Sequence, residues 1–261
     1  MSNTLYLLEK VDFSYGKTKA LAGVNLKLQR GKFYTILGPN GCGKTTLLDL
    51  LSGYRKPDSG TVFFNNKMLS SYSPKELARE VALVPQDFSL DLGFTLEEIV
   101  LMGRHPYMAR FGSPAEEDWQ LVNNSLENIG LNELRYKDAS LLSGGQKQRA
   151  VVARALAQNT DTLLFDEATA SLDIQYMLQI FNLAKQLVTE QGRTVIAVLH
   201  DINLASAYAD EMIFMKDGQI HSLGAPKEIM TAKVIEEIFS VKAKVGDDLF
   251  QQPNQISLRY G

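Results

Sequence analysis

The chain of 261 residues has one cysteine, three histidines and no long apolar run. Because Cys42 is alone, it can form neither an internal disulfide nor a cysteine-based metal cage, and this favours a reducing compartment. No apolar stretch approaches the roughly 20 residues of a membrane-spanning helix. Glu9 and Asp12 follow a very short apolar patch, which argues against a signal peptide. We therefore expect a soluble intracellular protein.

Charge and composition further limit the class of protein. Lysine and arginine number 27 against 30 acidic residues, so the net charge is −3. Proteins that coat DNA are not typically weakly acidic, although such a chain can still have a local basic patch. We therefore predict no nucleic-acid partner. The 45% hydrophobic and 22% charged composition is typical of globular proteins and excludes the disordered and fibrous classes.

Short apolar runs alternate with longer segments of helical period, which indicates an α/β protein with a largely parallel sheet. Four runs are continuously apolar, as strands covered on both faces are: 32–37, 81–84, 161–165 and 194–199. Residues 5–28 alternate more and lie around the turn residues Gly16, Gly23 and Gly31. This region is therefore predicted to form antiparallel strands.

The middle of the chain, about 87–159, has no convincing strand pattern. Its helical segments are 96–103, 116–129 and 146–157. We predict a single domain in which this helical subdomain is inserted into an α/β core of residues 1–86 and 160–240. Residues 241–261 form a C-terminal tail to which the sequence assigns no function.

A glycine-rich segment follows the run at 32–37 and precedes a helical run. It has the pattern G-x-x-x-x-G-K-[ST] and consists of Gly38, Pro39, Asn40, Gly41, Cys42, Gly43, Lys44, Thr45 and Thr46. Glycines let backbone N–H groups converge on an oxyanion at a helix N-terminus, where the helix dipole favours negative charge. Strand, loop and helix in this order predict a phosphate-binding loop (P-loop).

The side chains of this loop suit a nucleoside triphosphate. Lys44 would bring a positive charge to the β and γ phosphates, and Thr46 a hydrogen bond to the α phosphate. Thr45 would offer a hydroxyl to Mg²⁺, which prefers hard oxygen ligands. Cys42, between two glycines, is interpreted as a small side chain of the loop and not as a nucleophile or redox group.

Two later apolar runs end in polar side chains. Asp166 and Glu167 directly follow the run at 161–165, and His200 directly follows the run at 194–199. In open α/β sheets, ligands gather beyond the carboxyl ends of the strands. We expect Asp166 to hold Mg²⁺ through a coordinated water and Glu167 to polarise a water for attack on the γ phosphate. His200 is predicted to reach that phosphate and that water.

A further motif, LSGGQ, opens the last helical segment before the carboxylate pair. It consists of Leu142, Ser143, Gly144, Gly145 and Gln146. With the P-loop and the LLFDE run, it closely resembles the ATP-binding cassette (ABC) family, and the resemblance covers most of the chain. Other positions that match the family are Gln86 (Q-loop), Ser171-Leu172-Asp173 (D-loop), His200 (switch histidine) and Tyr15, the aromatic that stacks on adenine. Ala168 departs from the family, which usually has proline there.

The resemblance implies a P-loop NTPase fold and a homodimer that hydrolyses ATP with Mg²⁺. In the family, the LSGGQ helix start of one subunit faces the P-loop of the other, so Ser143, Gly144, Gly145 and Gln146 would contact the γ phosphate in trans. ATP between two subunits favours the closed dimer, and hydrolysis with product release removes this preference. The resemblance assigns Gln86 both to catalysis and to magnesium binding. Gln86 would also couple the nucleotide state to movement of the helical subdomain.

A single cassette without spanning segments implies separate permease subunits. The run GRHPYMARFG at 103–112, followed by acids, is similar to ATPases for iron-siderophore, haem and cobalamin uptake. Arg104 and Tyr107 are therefore predicted to contact the permease. The resemblance implies an importer ATPase on the cytoplasmic face of the inner membrane, with two permease subunits and an extracytoplasmic binding protein.

Three other functions share some of these sequence features. An ABC ATPase for another solute, such as zinc, manganese or an amino acid, stays open because specificity lies in other chains. A soluble ABC protein acting on DNA or ribosomes would have a long coiled coil or a second cassette, and this sequence shows neither. A kinase or switch GTPase shares the P-loop but does not need LSGGQ.

Overall fold

The computed structural model describes residues 3–86, 88, 93–109, 112–167, 172–246 and 255–258. The strands are β1 (Thr4–Tyr15), β2 (Thr18–Gln29), β3 (Phe33–Leu37), β4 (Ser59–Phe64), β5 (Lys67–Met68), β6 (Val81–Val84), β7 (Thr162–Asp166), β8 (Thr194–Val198), β9 (Glu211–Lys216), β10 (Gln219–Gly224), β11 (Ala243–Gly246) and β12 (Gln255–Leu258). The α-helices are α1 (Lys44–Leu51), α2 (Pro74–Glu80), α3 (Leu96–Leu101), α4 (Glu116–Asn128), α5 (Gly144–Ala157), α6 (Ile174–Gln191), α7 (Ile202–Tyr208), α8 (Pro226–Ile229) and α9 (Ala232–Phe239). Backbone contacts divide the chain into a first unit, 1–72 with 194–261, and a second unit, 73–193.

The first unit contains both kinds of sheet that the sequence predicts. Strands β2, β1, β4 and β5 form an antiparallel sheet in this order. Strand β3 pairs in parallel with β8 on one side and with β9 on the other, and β10 pairs antiparallel with β9. All residues of β3 and β8 are buried, in agreement with their continuously apolar sequences.

Asp12 links three strands of the antiparallel sheet. From β1, its carboxylate accepts hydrogen bonds from the Gly23 N–H of β2 at 2.7 Å and from the Ser59 hydroxyl of β4 at 2.8 Å. It also forms an ion pair of 2.7 Å with Lys19. The hydrogen bond from Lys19, and then those from Ser59 and Gly23, lower the pKa of Asp12 to about 2.

We expect the stability of this sheet to depend on pH through Asp12. Because the folded pKa lies below the ordinary value near 3.9, the charged carboxylate stabilises the fold above that value. This contribution is lost as the pH falls through the interval between that value and a pKa of about 2. Asp12→Asn should remove this part of the pH dependence in urea unfolding curves, whereas Asp58→Asn, at an exposed position, should keep it. The same acid dependence in the wild type and in Asp12→Asn would contradict the assignment.

The second unit is mainly helical. Its two strands, β6 and β7, pair in parallel, and helices α2 to α6 belong to it. In the described part of 87–159 no strand occurs, as the sequence predicts, and an isolated bridge joins Thr95 to Asp138. The exact limits predicted for the helical subdomain stay a prediction.

One segment differs from the sequence-based expectation, and another, the tail, has structure for which the sequence makes no prediction. The helical period predicted for 96–103 gives α3 and then a tighter 3₁₀ turn, Met102–Arg104, in which Gly103 packs directly against the backbone of Arg154 in α5. The tail contains the antiparallel pair β11 and β12. Within the first unit, the Asn203 side chain of α7 exchanges two hydrogen bonds with the backbone of Ile256, at 2.7 and 3.1 Å, and so holds β12 against α7.

Candidate functional site

The phosphate-binding loop connects β3 to α1 in the first unit, as the sequence predicts. Two of its glycines are required by packing. Gly43 has φ +100°, and a β-carbon there would lie 2.5 Å from the Ala20 carbonyl oxygen. A β-carbon on Gly38 would clash with the Met215 carbonyl oxygen of β9. These contacts hold the loop at the carboxyl end of β3.

The Lys44 side chain is folded into the loop. It is buried, and its ammonium donates hydrogen bonds of 3.0 and 3.1 Å to the carbonyl oxygens of Gly38 and Pro39. Thr45 is exposed at the start of α1. Burial raises the pKa of the Cys42 thiol, which is therefore protonated at neutral pH and a poor nucleophile. This agrees with its interpretation as a small loop residue.

Tyr15, predicted to stack on adenine, ends β1 with 44% of its surface exposed. The buried Thr46 hydroxyl donates to the Tyr15 hydroxyl at 3.4 Å. No sequence motif includes Arg55, yet its guanidinium carbon lies 4.7 Å from the centre of the Tyr15 ring. The contact between Arg55 and Tyr15 cannot be predicted from the sequence, because it depends on how the turn after α1 folds back.

His200 lies at the same sheet edge as the phosphate-binding loop. Strands β3 and β8 are parallel neighbours, and the Leu199 N–H donates to the Ile36 carbonyl at 3.1 Å. His200 is exposed, and Asp201 caps α7 by accepting from the Leu204 N–H at 2.9 Å. The first unit thus brings together the loop and the histidine, which the sequence separates by more than 150 positions.

Gln86 and Glu167 meet in the second unit. Parallel strands β6 and β7 place their carboxyl ends together, and the Gln86 side-chain N–H donates to the Glu167 carboxylate at 2.8 Å. Asp166, the last residue of β7, is buried. Glu167 has φ +49°, a conformation that costs a non-glycine residue energy and is concentrated at functional sites.

The LSGGQ segment forms the N-terminus of α5. The Ser143 hydroxyl accepts from the Gln146 N–H at 3.3 Å, and the Gln146 side chain accepts from the Ser143 N–H at 3.0 Å. A β-carbon on Gly144 would meet nothing within 4 Å, so packing among the described residues does not require glycine there. Asp173 precedes α6 and is exposed, without a side-chain capping bond. Ala168 and Ser171 lie outside the described residues.

Arg104 is buried, although it was predicted to contact the permease. Its guanidinium forms an ion pair of 2.8 Å with Asp118 and donates to the carbonyl oxygens of Ala157 and Gln158 at 3.1 Å. The half-buried Tyr107 ring lies 4.0 Å from the guanidinium carbon of Arg104. Arg104 of the basic run and Asp118 of the acids that follow it therefore form an internal ion pair. Direct permease contacts of Arg104 and Tyr107 stay a prediction.

Comparison with known proteins decides the family. A model of the ABC transporter family matches residues 21–170, which include the phosphate-binding loop, LSGGQ and the carboxylate pair. The chain belongs to the ABC transporter family. It is an ATPase of that family, with the P-loop fold that the sequence predicts.

The relatives of this ABC ATPase include import proteins. It is 36% identical to the petrobactin import ATP-binding protein FpuD of Bacillus anthracis, over 94% of this chain and 90% of that protein. It is 38% identical to the ferric enterobactin transport ATP-binding protein FepC of Escherichia coli, over 92% of this chain and 89% of that protein.

Solved structures agree with this assignment. A chain from an inward-facing ABC transporter, described as of the metal-chelate type, superimposes with a TM-score of 0.84 and 28% identity, over 99% of this chain and 98% of that one. A dimeric ATP-binding cassette with ADP and phosphate gives a TM-score of 0.75 and 32% identity, over 85% of this chain and 98% of that one. Among the described residues of our protein, no helix has the length and apolar character needed to cross a bilayer.

Proposed function

We propose that this ABC ATPase powers the import of an iron chelate, haem or a cobalamin. It works as a homodimer with two permease subunits at the cytoplasmic face of the inner membrane, and a separate extracytoplasmic protein delivers the solute. The observation that carries the proposal is similarity, over at least 92% of the chain, to import ATPases for petrobactin and ferric enterobactin.

The proposed ATP contacts of the first unit follow from its chemistry. Lys44 and the loop N–H groups bind the β and γ phosphates, Thr46 binds the α phosphate, and Tyr15 stacks on adenine. His200 contacts the γ phosphate from the neighbouring strand. The position of His200 at the loop's own sheet edge supports this assignment.

The residues proposed for magnesium fit that ion. Mg²⁺ keeps several waters and binds one or two protein oxygens together with substrate phosphates. Thr45 offers a hydroxyl, Asp166 a carboxylate and Gln86 an amide oxygen, all of them hard ligands. The described part of the chain has no group of three or more His, Cys, Asp or Glu side chains that could hold a metal ion by themselves. Bound magnesium would neutralise charge on the phosphates, and Glu167 would take the proton of the attacking water.

The exposed start of α5 supports the proposed contact in trans. The Gln146 N–H is capped by the Ser143 hydroxyl, whereas the N–H groups of Gly144 and Gly145 have no carbonyl acceptor in a preceding turn of the helix. A β-carbon on Gly144 would meet nothing within 4 Å. Ser143, Gly144, Gly145 and Gln146 are therefore assigned to the γ phosphate of the partner's ATP.

Loss of the Lys44 ammonium should abolish tight nucleotide binding. In Lys44→Ala the loop keeps its glycines but loses its charge, and we expect ATP affinity to fall at least tenfold, since charge-assisted hydrogen bonds contribute about 1.5–3 kcal/mol. Calorimetric titration with ATP measures this, with the exposed Lys27→Ala as the control. Equal affinity in Lys44→Ala and the wild type would contradict the role of Lys44.

The transport proposal is tested on the assembled complex. The tagged chain is purified from its native membrane, its partner subunits are identified, and the complex is reconstituted with its binding protein. We expect ATPase activity to be stimulated by a ferric siderophore, haem or a cobalamin. Stimulation by zinc, manganese or an amino acid, but by none of the three, would reject the proposed solute and leave the ATPase assignment intact.

A further inference from the structure

We propose that Arg55 is a base-positioning residue that forms the rear of the adenine platform, with Tyr15 between the guanidinium and the base. The inference deepens the proposed function and rests on the role given there to Tyr15. It assigns Arg55 to selective binding of the adenosine part of ATP and leaves phosphate binding to the loop.

The Tyr15 ring is held on several sides. The Arg55 guanidinium carbon lies 4.7 Å from its centre, and the Phe13 ring meets it at a centroid distance of 5.0 Å and an angle of 82°. The Thr46 hydroxyl donates to the Tyr15 hydroxyl at 3.4 Å. With these contacts made, 44% of Tyr15 is still exposed, so part of the residue stays accessible to a ligand.

Arg55 is itself fixed to the helix that begins in the phosphate-binding loop. Its Nε donates to the Asp49 carboxylate at 2.9 Å, and its backbone N–H donates to the Asp49 carbonyl at 3.2 Å. Asp49 lies on α1, of which Lys44 is the first residue. The ion pair thus links the cation beside Tyr15 to the helix that begins in the phosphate-binding loop.

The contact has two physical effects. A planar guanidinium packs against the face of an aromatic ring and restricts its rotation, so less side-chain entropy is lost when a base stacks on Tyr15. The positive charge also draws electron density from the ring and favours stacking with an electron-rich purine on the opposite face. Neither effect acts on the phosphates.

Steady-state ATPase assays on the full chain test the proposal. For Arg55→Ala we expect the KM for ATP to rise roughly two- to fivefold, the factor given by an exposed cation–π contact of about 0.5–1 kcal/mol. The kcat and the competitive inhibition constant of tripolyphosphate, which has no base, should be unchanged. Arg55→Lys, which keeps the charge but loses the planar face, should be intermediate, and the exposed Arg30→Ala is the matched control.

Tyr15→Ala and the double variant separate the possible failures. If Tyr15→Ala raises the KM and Arg55→Ala does not, the role of Arg55 is rejected while the proposed ATP site stands. Arg55→Ala should add little in the Tyr15→Ala background, since the two residues act as a unit. If Arg55→Ala weakens tripolyphosphate as much as ATP, or lowers kcat, the residue is structural and the proposal is overturned. If neither single variant changes the KM, Tyr15 is not the base platform and both assignments fail.

Discussion

Glu167→Gln is expected to lower the kcat for ATP hydrolysis at least a hundredfold, the lower part of the range for loss of a general base. The substitution is nearly isosteric, and its amide oxygen can still accept the hydrogen bond that Gln86 donates to Glu167 at 2.8 Å. The local backbone and the phosphate-binding loop should therefore be retained. The amide cannot take a proton from water, so the chemical step fails while ATP binding persists.

Two measurements on Glu167→Gln separate chemistry from binding. Phosphate release gives kcat, and calorimetry gives ATP affinity, which we expect to stay at the wild-type value. Trapped ATP should also favour a dimer, seen as a doubled mass by light scattering. Glu236→Gln, which removes an exposed carboxylate from α9, is the control. Brisk turnover by Glu167→Gln would refute the assignment of the base.

Asp118→Asn should destabilise the second unit by about 3–5 kcal/mol, the usual cost of breaking a buried ion pair. The side chains of Arg104 and Asp118 are 5% and 11% exposed, and their nitrogen and oxygen atoms are 2.8 Å apart. Without the carboxylate, the guanidinium stays buried with an uncompensated charge. Urea unfolding measures the loss, with the exposed neighbour Glu117→Gln as the control.

A double variant distinguishes lost attraction from an unpaired buried charge. Replacing Arg104 by Met and Asp118 by Leu removes both charges, and we expect it to recover most of the stability lost in Asp118→Asn. A double variant as unstable as the single one would show that packing, and not charge, is responsible.

The same pair gives a pH dependence with a defined sign. Burial opposes ionisation of Asp118, but the hydrogen bonds from Arg104 and Ala115 and the Arg104 charge outweigh it and lower the pKa. Its contribution to stability is therefore present above the ordinary aspartate pKa near 3.9 and is lost as the pH falls through the folded value. In the double variant this part of the acid dependence should be absent.

The sequence by itself determined the family, the strand–loop–helix order at the phosphate site and the helical middle of the chain. These features are readable because they depend on contiguous residues. A phosphate-binding loop needs glycines and a lysine at fixed spacing, and a doubly covered strand needs an unbroken apolar run such as 194–198.

Only the tertiary structure decided which distant side chains meet. Arg104 looked like a surface cation in the sequence, and packing against α4 and α5 buries it on Asp118. The contacts between Arg55 and Tyr15, and between Gln86 and Glu167, join residues 40 and 81 positions apart. Periodicity and spacing report which face of an element is apolar, whereas such contacts depend on where turns and strand ends lie once the core has formed.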